Sequence, residues 1–305
     1  MKKQPLVYIV IPNFNAVAFL KKCLDSLMKI TYKNCKILFM DDCSTDNSVE
    51  FVRKNYRKVD IIVNRENLSF AKTSNLGIKK ALKEGAEYVL ILNNDTTVRP
   101  DFLSRLVEFA EKNPKAGIIT PAILEYDNNL IQAFGSKLDE TGRAHMQHYH
   151  KTLVDLPDVE EADYLHGPAM LFRPEMLKKV GLYDEDFVFT YEDSDLCKRA
   201  RECGYRIFTI KSSVIRHKGF SGVSVKKRTW KFLFINQRGR IRFVLLHFGA
   251  LELLLFPFFE IAAIARLISK GVKREIIVLP FAYLWNLLNL PKTIRRRMSL
   301  YGASP

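Results

Sequence analysis

The five cysteines, Cys23, Cys35, Cys43, Cys197 and Cys203, are odd in number and include no CxxC pair. That pattern fits neither a disulfide framework nor a thiolate zinc site, and reduced, mostly buried thiols are expected. Glycine (14) and proline (12) are scarce in 305 residues, which excludes collagen-like and low-complexity chains. Between Pro5 and Pro12 there are only about five consecutive apolar residues, too few for the apolar region of a signal peptide. The first domain is therefore expected in the cytoplasm. Acidic residues are also in deficit, 33 Asp and Glu against 48 Lys and Arg. The deficit is local: residues 1–225 hold 33 basic and 30 acidic side chains, whereas 226–305 hold 15 and 3.

Apolar residues make up 48% of the chain, enough for one large domain with an appendage or for two ordinary ones. In the first half, short apolar runs alternate with helical spacing. Leu6–Ile11 is followed by Phe19, Leu20, Cys23, Leu24 and Leu27. Ile37–Met40 precedes a helix over 46–56, Ile61–Val63 one over 70–83, and Tyr88–Leu92 one over 100–111, before a further strand at Gly117–Thr120. This alternation predicts an α/β fold with a mainly parallel central sheet, which binds ligands at the carboxyl ends of its strands.

The loops expected at that edge are polar and acidic: Pro12-Asn13-Phe14-Asn15, Asp41 to Asp46, and Asn93-Asn94-Asp95. Ser44 to Asn47 read as helix caps, with Asn47 and Glu50 at capping-box spacing. Asp41 and Asp42 can accept hydrogen bonds from a base or ribose, and Asp95 can ligate a hard divalent cation. His145, His148 and His150 read as a surface strand or loop rather than a metal site. A helix is expected from near Thr190, where Thr190 and Asp193 have capping-box spacing. Its first turn crowds Glu192, Asp193 and Asp195, which repel one another and raise at least one pKa, so the cluster suits either a cap or a general base.

Taken in order, Ile11 to Asn15, Asp41 to Asp46, Asn67 to Lys72 with Asn75, Leu92 to Asp95, Gly167 to Arg173 and Tyr191 to Leu196 resemble the family 2 glycosyltransferases of the GT-A fold, and most closely their rhamnosyltransferase-like branch. The resemblance covers roughly residues 6–220 and implies a metal-dependent, inverting transferase. By resemblance Pro12, Asn13, Phe14, Asn15, Asp41, Asp42, Lys72, Asn75, Asn94 and Gly167 would bind a nucleotide-sugar donor. Asp95 would hold Mg2+ or Mn2+ with His217 nearby, and the Glu192-Asp193 pair would supply the base. Cys43 and Ser69 stand where glycine is frequent in the family. The donor implied is dTDP-rhamnose or a UDP-sugar, and the acceptor a lipid-linked or cell-surface glycan in polysaccharide biosynthesis. A nucleotidyltransferase would want a glycine-rich basic loop near the first strand, which Pro12–Val17 lacks; a non-catalytic nucleotide-binding membrane scaffold is the other alternative.

Residues 226–305 read as a separate helical region beside a catalytic domain of 1–225. Seven basic residues between Lys226 and Arg242 interleave with Trp230, Phe232 and Phe234, and two apolar stretches follow at Phe243–Ala265 and Ile276–Pro291. A hairpin through the membrane would put the basic loop Arg266–Arg274 outside, against the positive-inside preference. In-plane helices on the anionic cytoplasmic face of the cell membrane fit better, as a peripheral or monotopic attachment. A homodimer interface is the soluble use of the same helices. Nucleic acid is not expected as a partner, because the apolar runs exceed what stacking needs.

Overall fold

A computed structural model describes residues 4–165, 167–219, 229–269 and 271–302. The chain divides into two units, one of Met1–Lys137, Met146–Val188 and Glu192–Ser221, the other of Leu138–His145, Phe189–Tyr191 and Gly222–Pro305.

The first unit follows the expected alternation: β1 (Val7–Asn13), α1 (Val17–Leu27), β2 (Cys35–Asp41), α2 (Ser48–Asn55), β3 (Val59–Val63), α3 (Phe70–Lys83), β4 (Tyr88–Leu92), β5 (Thr96–Val98), α4 (Phe102–Lys112) and β6 (Ala116–Glu125). Every residue of β1 and β4 is buried, as befits strands covered on both faces. α1 lays Leu20, Cys23, Leu24 and Leu27 against the core at one-face helical spacing. Then come β7 (Ile131–Ala133), a short pair β8 (Ser136–Leu138) and β9 (Ala144–Met146), β10 (Val159–Glu161), β11 (Ala169–Phe172), α5 (Pro174–Val180), α6 (Glu192–Glu202) and β12 (Arg206–His217). All five cysteines are free; Cys23 and Cys197 are buried, the other three only half-buried.

The main sheet runs β10-β12-β6-β11-β4-β1-β2-β3, with β5 on β12 and β7 on β6. It is mixed rather than mainly parallel. β1, β2, β3 and β4 pair in parallel, but β11 lies antiparallel between β4 and β6, and β5, β7 and β10 are antiparallel to their partners. Between β6 and β11 the chain runs through short strands with no α-helix among the described residues, so it lacks the strand–helix–strand unit that sets neighbouring strands parallel.

Register sets the working edge. The parallel pairing of β1 with β2 puts Asn13 opposite Asp41, and β4 ends at Leu92, so Asn93 to Asp95 leave the sheet beside them. β12 pairs antiparallel with β5 and puts His217 opposite Thr96, next to Asp95.

The second unit is helical: α7 (Trp230–His247), α8 (Ala250–Ser269), α9 (Lys273–Leu288) and α10 (Leu290–Tyr301). The apolar stretch 243–265 is not one helix, because the chain breaks at Phe248 and Gly249. Two of the basic residues expected at a membrane surface are instead buried: Arg240 grips both carboxylate oxygens of Glu260 at 2.5 and 3.1 Å, and Arg242 donates to Thr293 Oγ1 at 3.0 Å. A guanidinium's planar fork suits such fixed pairing. Arg143 donates to the same Glu260 at 3.1 Å. Burial alone would raise the Glu260 pKa, but the two guanidiniums hold it below the usual carboxylate range. Among the described residues no helix is long and apolar enough to cross a membrane. The boundary expected at 225/226, with Lys226, Lys227 and Arg228, lies outside the described residues.

Candidate active site

At the carboxyl edge a cleft of about 240 Å3 is lined by Pro12, Asn13, Phe14, Asp42, Phe70, Thr73, Asn93, Asn94 and Asp95. The first two loops are tied together under it. Asp41, fully buried, accepts from Asn13 Nδ2, Ser44 N and Ser44 Oγ at 2.7–2.9 Å. Asn15 accepts with its side-chain oxygen from the amides of Thr45 and Asp46 at 2.7 and 3.2 Å. Asn94 Nδ2 donates to Asn13 Oδ1 at 2.8 Å, joining the third loop to the first. The expected capping box at Asn47 does not form: Asn47 makes no cap bond, and Asp46 accepts from Ser48 N instead.

Asp42 is held by four donors. Oδ1 accepts from Asn64 Nδ2, Leu68 N and Thr73 Oγ1, while Oδ2 accepts, among the described residues, from Ser69 N alone and keeps acceptor capacity. Cys43 and Ser69, at the positions where the resembled family favours glycine, have φ of 61° and 74°. The backbone here therefore needs positive φ, and these two side chains adopt it at a cost.

On the far side of the cleft Asp95 faces His217. His217 Nε2 lies 3.2 Å from Asp95 Oδ1, and Gly219 N donates to Oδ2 at 2.8 Å. Burial would raise the Asp95 carboxyl, but the hydrogen bond and charge of His217 outweigh it and its pKa falls below the ordinary value. His217 is not a surface residue; it is buried, and Gln132 holds it twice, accepting from ring Nδ1 at 2.6 Å and donating to its carbonyl oxygen at 3.2 Å. With Nδ1–H committed to Gln132, the ring turns Nε2 towards Asp95, as an N–H donor when it carries a second proton and as a lone pair when it does not. Two acceptors in contact suit either a proton or a cation between them. Among the described residues no cluster of three or more His, Cys, Asp or Glu is placed to hold a metal. Asp95 and His217 are the residues on this wall of the cleft whose oxygen and nitrogen donors could hold a divalent ion.

The Glu192-Asp193 pair opens α6 after an unusual approach: Val188, Thr190 and Tyr191 all have positive φ. Thr190 Oγ1 has no hydrogen-bond partner among the described residues, so the capping box with Asp193 is not made. The three crowded carboxylates have separate fates. Asp195, fully buried, is bound twice by Arg199 at 2.6 and 2.9 Å, and Arg199 also donates to Leu182 O, so this pair braces the preceding loop. Glu192 is buried. Among the described residues Asp193 accepts from backbone amides, including Ser194 N at 2.8 Å, and burial pushes its pKa up to about 6. Gly167 stands against it: a Cβ there would come within 3.0 Å of Asp193 Oδ2. The next residue, Pro168, accepts from Asn93 N at 2.8 Å. Asp193 is thus linked to the Asn93-Asn94-Asp95 loop through two residues.

Two expected donor-binding residues take other places. Asn75 is buried with its amide committed to the main chain of Tyr183, at 2.9 and 3.0 Å, and to Glu185. It lies outside the cleft lining because a buried amide with four hydrogen-bonding sites must use them locally. Lys72 is half-buried on α3 and makes no hydrogen bond or ion pair with the described residues. Of the three histidines read as a surface strand or loop, His145 and His150 are exposed and His148 is half-buried, and each has a carboxylate: His145 meets Asp139, His148 meets Glu160 and His150 meets Glu125. Residues not anticipated are Phe70, Thr73 and Gln132. Phe70 and Thr73 share a face at i, i+3 of α3, a signal available in sequence; Gln132 offers only a polar residue flanked by Ile131 and Ala133.

Residues 8–181 match the family model described as glycosyl transferase family 2. The chain is 27% identical over 190 residues to an uncharacterized glycosyltransferase of Rickettsia typhi, covering 62% of this chain and 56% of that protein. It is 24% identical over 204 residues to a dTDP-rhamnosyl transferase of Shigella flexneri, covering 67% and 66%. The chain thus spans about half to two thirds of these relatives' length. Among solved structures, GalNAc-T7 with UDP, GalNAc and Mn2+ gives a TM-score of 0.63 at 15% identity over 81% of this chain and 48% of that one. A mannosyltransferase from Pyrobaculum calidifontis with GDP-Man and Mn2+ gives 0.53 at 16% over 95% and 76%. The α/β fold with its mixed sheet is that of these GT-A enzymes.

Proposed function

Since this chain belongs to glycosyl transferase family 2, we propose that it moves a sugar from a nucleoside diphosphate donor to a hydroxyl group, with inversion at the anomeric carbon. The observation that carries the reading is the linkage just described, in which Asn93 N–H to Pro168 O and the contact of Gly167 with Asp193 tie a half-buried proton acceptor to the acidic, asparagine-rich cleft.

The roles divide by chemistry. Phe14, about half exposed at the rim, offers a ring face for a base. Asp42 Oδ2 can accept one more hydrogen bond from the nucleotide. Asp95 and His217 would hold Mg2+ or Mn2+, which would neutralise negative charge developing on the departing diphosphate. Asp193 takes the proton of the acceptor hydroxyl while that oxygen bonds the anomeric carbon and the bond from that carbon to the phosphate oxygen breaks. Its raised pKa brings its basicity closer to the working pH than that of an ordinary aspartate. Direct displacement needs no covalent intermediate, so no activated side-chain nucleophile is required.

The donor proposed is dTDP-rhamnose or a UDP-sugar, supported by the likeness to the Shigella dTDP-rhamnosyl transferase. The acceptor proposed is a lipid-linked or cell-surface glycan. Residues 1–225 would form the catalytic part and 226–305 attach it to the anionic cytoplasmic face of the membrane, supported by 15 basic against 3 acidic residues in that segment.

A donor screen by thermal unfolding tests the reading. A ligand at 100 times its Kd stabilises by about 2.7 kcal/mol. One nucleotide sugar should protect the protein, more strongly with Mn2+, and should be turned over by the wild type but not by Asp193→Asn. Silence across dTDP-, UDP- and GDP-sugars would overturn it.

A further inference from the structure

Behind a core of α7 and α9 side chains, α8 is patterned in reverse. α8 is built almost wholly of apolar residues, yet the one side chain it buries is that of Glu260. Leu251, Leu254, Phe258, Ile261 and Ile268 recur along it at helical spacing and are each 62–69% exposed. α9 does bury Val278, Leu279 and Ala282, but it leaves Ile277, Phe281, Leu284 and Leu288 each 54–72% exposed. Inside the same unit lie the Arg240–Glu260 pair, Gln237, Arg242 bonded to Thr293, and Asn286.

A water-soluble bundle does the opposite, since apolar surface is driven out of water and charge is left in it. Charged groups turned inward and paired, with leucine and phenylalanine turned outward, is the arrangement a protein adopts when its surroundings are hydrocarbon. Scattered exposed apolar residues need no explanation, but two continuous stripes do. Neither helix is long and apolar enough to cross a membrane, so the stripes suit helices lying in the plane of the interface. Exposed Arg266 on α8, Lys273 on α9, and Lys292 and Arg295 on α10 add positive charge suited to anionic head groups.

We infer that the outward faces of α8 and α9 sink among the acyl chains of a single leaflet, so that the partner of this unit is the lipid hydrocarbon and not only the charged membrane surface. The inference rests on the membrane-attachment reading above and deepens it. Such insertion depends on apolar area, whereas adsorption to head groups depends on charge and is screened by salt.

Flotation of the full chain with vesicles separates the cases. On vesicles of neutral phosphatidylcholine, and on vesicles with added phosphatidylglycerol at about 1 M NaCl, where the screening length is about 3 Å, the protein should remain bound. The double variant Phe258→Ser/Phe281→Ser should weaken partitioning by about tenfold or more while nucleotide binding in the first unit stays unchanged. If the variant fails to fold, the wild-type salt series still decides. Binding to anionic vesicles only, released by salt, would leave membrane attachment standing and overturn insertion. No binding to any vesicle, with self-association that the double variant abolishes, would overturn both and assign the stripes to contact between two copies of this chain.

Discussion

Ser69 gives its amide proton to Asp42 Oδ2 across 2.9 Å, and to do so it takes φ 74° and ψ 167°, a region almost reserved for glycine. Such a conformation costs on the order of 1–3 kcal/mol, and glycine's extra freedom in the unfolded chain returns about 0.5–1 kcal/mol of that. Ser69→Gly should therefore stabilise the protein by about 1 kcal/mol, read as an increase in the urea midpoint at constant slope. A destabilised variant would mean that the serine side chain contributes more than the strain removes.

Gln132 offers a second test. Its acceptor oxygen fixes which nitrogen of His217 faces Asp95. Partners of this kind change metal affinity by about 10–100-fold when removed. Gln132→Leu should weaken Mn2+ binding, followed by the electron paramagnetic resonance of free Mn2+, by that factor. Gln132→Glu, which keeps an acceptor for Nδ1, should retain most of it. Unchanged affinity in Gln132→Leu alongside a loss in His217→Ala would show that the ring is held by its own backbone.

Asp193 ties activity and stability to pH in opposite directions. As a base it must be unprotonated, so kcat/KM should fall as pH drops through about 6. For folding, the native carboxyl takes up its proton at about 6, whereas the unfolded one waits until roughly 4. The native state binds the proton more tightly, so this group's contribution to stability grows as pH falls from above 6 to below 4. Asp193→Asn removes this poorly solvated, half-buried charge and should raise the melting temperature at pH 8 while lowering turnover by about 10²–10⁴-fold. Equal melting temperatures at pH 8 would mean that the carboxylate is well solvated.

The neighbouring pair Asp195–Arg199 should behave differently. Both are buried, and removing one partner leaves an uncompensated charge, a loss of about 3–5 kcal/mol. Arg199→Met should show it in chemical denaturation; a change below about 1 kcal/mol would mean that water or another cation replaces the guanidinium.

Long periodic segments were legible from the sequence: the helix over 70–83 and the strand at Tyr88–Leu92 lie where hydrophobic spacing puts them. β5 and β7 were not, since three residues carry no period. The antiparallel setting of β11 was not either, because strand direction follows from the path of the connection rather than from the strand's own residues. Within the site, the loops that meet could be named from the strand ends. The side chains that hold them could not. Gln132 reaches His217 across 85 positions, and no local pattern signals such a bond, while the buried clamp of Asn75 on Tyr183 spans 108.

The lattice of Asn13, Asn15, Asp41 and Ser44 under the cleft is closed by hydrogen bonds within the protein. An incoming nucleotide would find these loops already immobile, and little ordering entropy would be lost on binding. Encounter with this wall should then be governed by diffusion and charge, with no slow rearrangement of the first two loops limiting the association rate.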